Sequence, residues 1–178
     1  MMRSAHSDFV LEGARLRIRP TLTDTELDYV LELEHHEENR RFIGNWTRRQ
    51  HEEFSEDEDH LHLIIESKES GRPEGYMLIK GVCLNQGCIE LTRLVVDSKG
   101  RGYGREAIQL VKDWAFSIAG AHRLQLDVRS INSRAKALYE SEGFNQEGIL
   151  RDCFKEEGGE GYTSLYLMSI LEEEYRHV

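Results

Sequence analysis

The stretch RLVVDSKGRGYGREA, Arg93 to Ala107, decides how this chain is read. An apolar run ends in a turn holding Gly100, Gly102 and Gly104, and a helical pattern begins at once. Ala107, Ile108, Val111, Trp114, Ala115 and Ile118 recur at helical spacing until Gly120 stops the helix. A helix start offers free N–H groups and the positive end of a dipole, and glycines let backbone close around an anion without a Cβ in the way. One reading is therefore a phosphate or pyrophosphate cradle, with Lys99, Arg101 and Arg105 adding positive charge; the other is an ordinary glycine-rich turn between strand and helix. Neither the GxGxxG spacing nor the P-loop ending Gly-Lys-Ser/Thr is present.

Working outward, Leu16 and Ile18 alternate with Arg17 and Arg19 and predict a first strand ended by Pro20. Thr23 or Asp24 opens a helix to about His35, and short helical pieces come next between Glu37 and Asp59. Leu61, Leu63 and Ile65, then Tyr76 to Leu84, then Cys88 to Val96 predict three strands joined by short turns, an antiparallel meander. Beyond the long helix, Leu124, Leu126 and Val128 alternate in a fifth strand. Asn132 caps a helix that runs to Glu142 and stops at Gly143. Phe144 to Asp152 and Tyr162 to Ile170 close the chain as strands around the glycine-rich loop of residues 156–161. The expectation is one α+β domain over residues 1–178, its core at about 16–170, with a mixed, mostly antiparallel sheet of about seven strands.

The net charge of −10 comes without a basic stripe, which speaks against a nucleic-acid partner. No apolar run approaches the roughly 20 residues of a membrane span, and the N-terminal stretch lacks the apolar core of a secretion signal. Cys83, Cys88 and Cys153 are odd in number and read as free thiols, so a cytoplasmic protein is expected. The densest charge lies in HEEFSEDEDH, His51 to His60, either a solvated face or a collar that steers a cationic ligand.

A second motif sharpens the reading. NSRAKALYESEGF, Asn132 to Phe144, is similar to the Asn-x-x-Ala-x-x-Leu-Tyr-x-x-x-Gly-Phe helix of the GNAT N-acetyltransferases, and Lys99 to Gly104 resembles that family's Arg/Gln-x-x-Gly-x-Gly/Ala loop, with Lys in the first position. The resemblance implies that Leu94, Val95 and Val96 pair their backbone with the pantetheine arm of acetyl-CoA. It implies that Lys99, Gly100, Arg101, Gly102, Tyr103, Gly104 and Arg105 hold the pyrophosphate, that Asn132 contacts the cofactor, and that Tyr139 protonates the leaving thiolate. Tyr139 read on its own is equally a core tyrosine at a helix end.

The activity that the resemblance implies is transfer of acetyl from acetyl-CoA to a primary amine in a ternary complex, without a metal. Glu90 stands where several family members carry a catalytic glutamate; it reads either as that base or as an exposed strand residue. The acceptor is a small molecule, a polyamine or a protein N-terminus, and the reading admits a homodimer. The rivals are an acetyltransferase for an antibiotic or amino-acid amine and an acyl-CoA-binding regulator without turnover. His60 and His62 share a strand face but lack a third ligand at metal spacing, so a structural role is expected. Trp46 and Phe42 read either as the lining of a substrate mouth or, the preferred reading, as anchors for the early helices.

Overall fold

The computed structural model describes residues 6–156 and 161–177. Alternation of Leu and Ile with Arg builds β2 (Leu16–Pro20), and a two-residue strand β1 (Leu11–Glu12) pairs outside it. Thr23 caps α1 (Asp24–His35) in a full capping box with Glu26. The polar stretch folds as α2 (Glu37–Arg40) and α3 (Arg48–Glu56), the latter capped by Thr47 and Gln50. The meander is β3 (His60–Ser67), β4 (Pro73–Lys80) and β5 (Cys88–Val96). The long helix is α4 (Tyr103–Asp113), which widens to a π-helical end (Trp114–Ala119) before left-handed Gly120. Then come β6 (Arg123–Arg129), α5 (Ser133–Ser141), β7 (Asn145–Lys155), β8 (Tyr162–Leu171) and a terminal α6 (Glu172–Arg176). Of the loop at 156–161, residues 157–160 lie outside the described residues.

All eight strands join one sheet, in the order β1-β2-β3-β4-β5-β6-β8-β7, with β5–β6 the parallel neighbours and every other pair antiparallel. The mixed α+β architecture holds, with eight strands rather than seven. β1 escaped the sequence reading because two residues carry no alternation to detect. The third expected strand stops at Lys80, not Leu84, because Gly81 (φ +81°) and Leu84 (φ +56°) turn the chain there. On one face α4 and α5 pack over Leu61, Leu63, Met77, Ile79, Ile89 and Leu91, with Ala107, Ile108 and Val111 as the helical side of the core. On the other, α1 and α3 cover Ile64, Tyr76, Leu78 and Val95 through Leu27, Val30 and Phe54.

The feature that shapes the molecule is a break in pairing. β5 and β6 are bonded only from Cys88↔Arg123 to Leu91↔Leu126. The register of β4 against β5 passes from Leu78↔Arg93 to Ile79↔Leu91, so Thr92 is an extra residue on β5. Such a bulge bends its strand and raises the local twist, and here the bend carries Arg93 to Val96 away from β6. The diverging half of β5 stays on β4, where Gly75 lets the backbones close: a Cβ at Gly75 would lie 2.2 Å from Val95 O. We expect Gly75→Ala to cost about 1–3 kcal/mol through this clash with main chain. Urea denaturation measures it; a variant with the wild-type midpoint and slope would show that β5 gives way freely.

Candidate active site

The gap between the parted strands opens into a cleft of about 760 Å³. One wall is Leu94, Val95 and Val96, whose edge toward β6 has no strand partner. The floor is the turn and first residues of α4: Lys99, Gly100, Gly102, Tyr103, Gly104 and Arg105. Asn132 and Tyr139 close the α5 side. Two sequence-expected residues, Arg101 and Glu90, do not line it.

The turn leaves backbone donors free of side-chain caps. Gly100 and Gly102 both hold φ +79°, in the left-handed region that favours glycine. Gly102 is the N-cap of α4 and supplies no side-chain bond, whereas Thr23, Thr47 and Asn132 cap α1, α3 and α5 with theirs. The first amides of α4 are thus left for an outside acceptor. Arg15 braces the turn from behind: its Nη1 donates to Arg101 O at 2.8 Å and its Nε to Glu106 Oε2 at 2.8 Å. Arg101 stacks on Tyr103 with 4.8 Å to the ring centroid and faces Glu74, and it does not line the cleft. Arg105 pairs with Glu142. Lys99 donates to Asn39 Oδ1 and to Val96 O, both at 2.7 Å.

Tyr139 is buried, its ring 5.9 Å from Phe144. Burial first, and the Asp127 charge second, raise its phenol well above the usual range, so it stays protonated. Glu90 lies on the opposite sheet face, accepting from Gln125 Nε2 at 3.1 Å. Asp127 stands two residues beyond Gln125 on the same face, at the first β6 position past the last β5–β6 pair. Solvent reaches Asp127, yet the crowding of protein around it raises its carboxyl pKa, with the Glu90 charge as the next cause. The free end of β5 and this carboxylate pair therefore both lie beside the fork of the sheet.

The model of the Acetyltransferase (GNAT) family matches residues 29–144. The chain belongs to that family. It is an acetyl-CoA-dependent N-acetyltransferase. It is 26% identical over 147 residues to spermidine N(1)-acetyltransferase of Vibrio cholerae serotype O1, spanning 77% of this chain and 84% of that one. A 76-residue match at 33% identity, 43% of this chain and 42% of the other, links it to N-acetyltransferase p20 of Bacillus licheniformis. Among solved structures, the spermidine N-acetyltransferase of Vibrio cholerae in complex with CoA and spermine superposes with a TM-score of 0.79 at 21% identity, covering 92% and 99% of the two chains.

In this GNAT chain, sequence reasoning missed the lip opposite α5. Glu38, Asn39, Arg41, Phe42 and Ile43 line the cleft, as do Ile131 and Arg134. Of the two readings held for Phe42 and Trp46, Phe42 takes the lining one, as a wall of the cleft, while Trp46 anchors, packing on Phe54 at 5.5 Å and under Arg93 at 4.6 Å. The acidic stretch after His51 lies outside the cleft: Glu53 pairs with Arg49, Asp57 accepts from Asp59 N, and Asp59 accepts from Cys83 N. The lip hangs from a buried charge. Glu34, fully buried on α1, accepts from Tyr76, from Arg93, and from Trp46 N at 3.0 Å. His51 Nε2 approaches it at 3.3 Å; His51 Nδ1 meets His62 Nε2 at 2.9 Å, and His62 Nδ1 meets Thr21 Oγ1 at 2.9 Å. Both nitrogens of His62 are engaged inside the protein, which gives that histidine a structural role.

Burial alone would raise the Glu34 pKa, but its donors, His51 first and then Arg93 and Tyr76, outweigh it and hold the carboxyl at about 2. Burial pushes His62 down to about 3. Both groups bind more protons unfolded than folded, so both lose stability as pH falls: His62 from about 6.5 toward 3, Glu34 from about 4.5 toward 2. We expect Glu34→Gln to be destabilised at neutral pH and to lose the steepening below pH ~4.5. Unfolding free energy against pH tests this; parallel curves for wild type and variant would mean that Glu34 is not ionised in the folded protein.

Proposed function

We propose that this enzyme acetylates a small polycationic amine of the polyamine class, by direct attack of the amine on acetyl-CoA with both held across the fork of β5 and β6. The carrying observation is the fork itself: an unpaired strand edge and an uncapped helix start on one side, and the Glu90–Asp127 pair on the other. The cleft residues fit the cofactor. The free edge at Leu94 to Val96 suits an amide-bearing arm, and the α4 amides with Gly100, Gly102 and Gly104 suit a pyrophosphate. Bound acetyl-CoA supplies the thioester, whose C–S bond breaks as the C–N bond to the amine forms.

The chain's residues carry the protons. An alkyl ammonium of pKa ~10.4 costs about 4.6 kcal/mol to deprotonate at pH 7. Asp127 and Glu90 attract the ammonium and take its proton, the raised pKa of Asp127 bringing it nearer to working pH. Tyr139, protonated at the α5 side of the cleft, delivers a proton to the departing sulfur. Holding the two reactants in line contributes more than proton transfer does, ~7–11 kcal/mol at best against about 3–5 kcal/mol for a ~10²–10⁴-fold gain. The polyamine class is supported by the spermidine acetyltransferase relatives and by the paired carboxylates.

Thiol release measured with spermidine, an N-terminal peptide, an aminoglycoside and free amino acids tests the reading. Spermidine is expected to give the highest kcat/KM. No thiol release with any amine in a single turnover would leave a CoA-binding protein without this activity. Tyr139→Phe should lower turnover by ~10²-fold or more while CoA affinity holds; normal turnover with chemistry rate-limiting would return Tyr139 to a packing role. For the loop, Gly104→Ala is the cleaner probe. Its Cβ would sit 3.4 Å from Leu138 Cδ2, an ordinary contact, so folding should survive while CoA affinity drops. Undiminished affinity in calorimetry would remove the phosphate from that position.

A further inference from the structure

Lys99 opens the glycine turn, yet its ammonium points across the cleft mouth rather than into the cradle. Two of its three donors are engaged, on Val96 O and on Asn39 Oδ1. Asn39 is 5% exposed and stands at a junction. Its Nδ2 donates to Leu33 O at 2.9 Å and ties it to the end of α1. Its carbonyl accepts from Phe42 N at 2.8 Å and from Ile43 N at 3.3 Å. Wherever Asn39 sits, the Phe42–Ile43 lip sits too. A second strut runs parallel, from Arg129 Nη1 to Arg41 O at 3.0 Å.

We infer that Lys99 is a positioning residue, a strut that holds the lip of the cleft against the cofactor turn through Asn39, and not a ligand of the cofactor's phosphates. The phosphate load falls on backbone amides of the turn and of α4, which require no lysine charge. The strut joins two parts that face different reactants: the turn faces acetyl-CoA, and Phe42 and Ile43 wall the side covered by α1 and α3. The consequence is that the cofactor turn sets the width of the cleft mouth. Desolvation, followed by Arg134, lowers the Lys99 pKa, in keeping with an ammonium set between protein walls. Arg134, which lines the cleft and forms no ion pair among the described residues, is the better placed cation for an anionic ligand.

The inference rests on the proposed acetyl transfer only for its kinetic arm. Lys99→Met keeps the side-chain length and removes the donor. Hydrogen exchange in the free protein should be roughly 5–10-fold faster at the Phe42 and Ile43 amides, the size expected for one lost hydrogen bond of ordinary strength. Calorimetry with CoA should give a Kd within about twofold of wild type, and the KM for spermidine should rise by a factor like that of the exchange, with kcat less affected. Unchanged exchange at those two amides overturns the strut. So does a tenfold or greater loss of CoA affinity, which would make Lys99 a phosphate ligand. A wild-type protein that acetylates no amine would defeat the proposed function alone, since exchange and CoA affinity still decide the strut.

Discussion

One unpaired residue governs the molecule. Thr92 has no counterpart on β4, and the bend it makes separates β5 from β6 just past Leu91↔Leu126. Buried backbone groups in folded proteins are almost always paired, so a strand that leaves its neighbour must be wet or be met by something else. Here the β5 edge of the fork faces the cleft, and the start of α4 faces the same cleft. The protein keeps a strand edge without a strand partner beside a helix start without a side-chain cap. The rest of the fold holds them apart: α4 crosses between the parallel strands, α5 wedges Tyr139 beside the fork, and β8 secures the far edge of β6.

The sheet also divides the chemistry. On the face of α4 and α5 lie the turn, Tyr139 and the apolar core. On the face of α1 and α3 lie Glu90, Asp127 and the buried Glu34 group. Tyr139 and the two carboxylates are thus kept on opposite faces of the sheet, which parts only at the fork. Each basic residue of the motif, Lys99, Arg101 and Arg105, is directed by a partner outside it: Asn39, Glu74 and Glu142. Positive charge in this acidic chain is thereby placed around the turn without a bare basic patch.

Much of this was legible in residue order. The three glycines and the helical spacing after them located the turn that floors the cleft, because a left-handed backbone position and a 3.6-residue period are local properties. Thr23, Asn132 and Gly120 marked helix ends for the same reason. The strand order β3-β4-β5 came from turns too short for any other connection. The Asn132–Phe144 motif put Tyr139 on its helix, and the structure brings that tyrosine to the cleft.

What sequence did not reveal lies between segments far apart in the chain. Thr92 looks like any strand residue until the β4 register is known. Asp127 is an ordinary alternating polar position until the last β5–β6 pair is seen to fall at Leu126. Phe42 and Asn39 sit in a polar stretch of weak periodicity, and only the contact of Asn39 with Lys99, 60 positions away, makes them a wall of the site. The sequence by itself determined seven of the eight strands, the main helices, their order and the glycine turn before α4, since these depend on neighbours within a few residues. The fork, the partners of the basic residues and the lip were decided by tertiary structure, since each depends on which distant backbone is missing or present beside a strand.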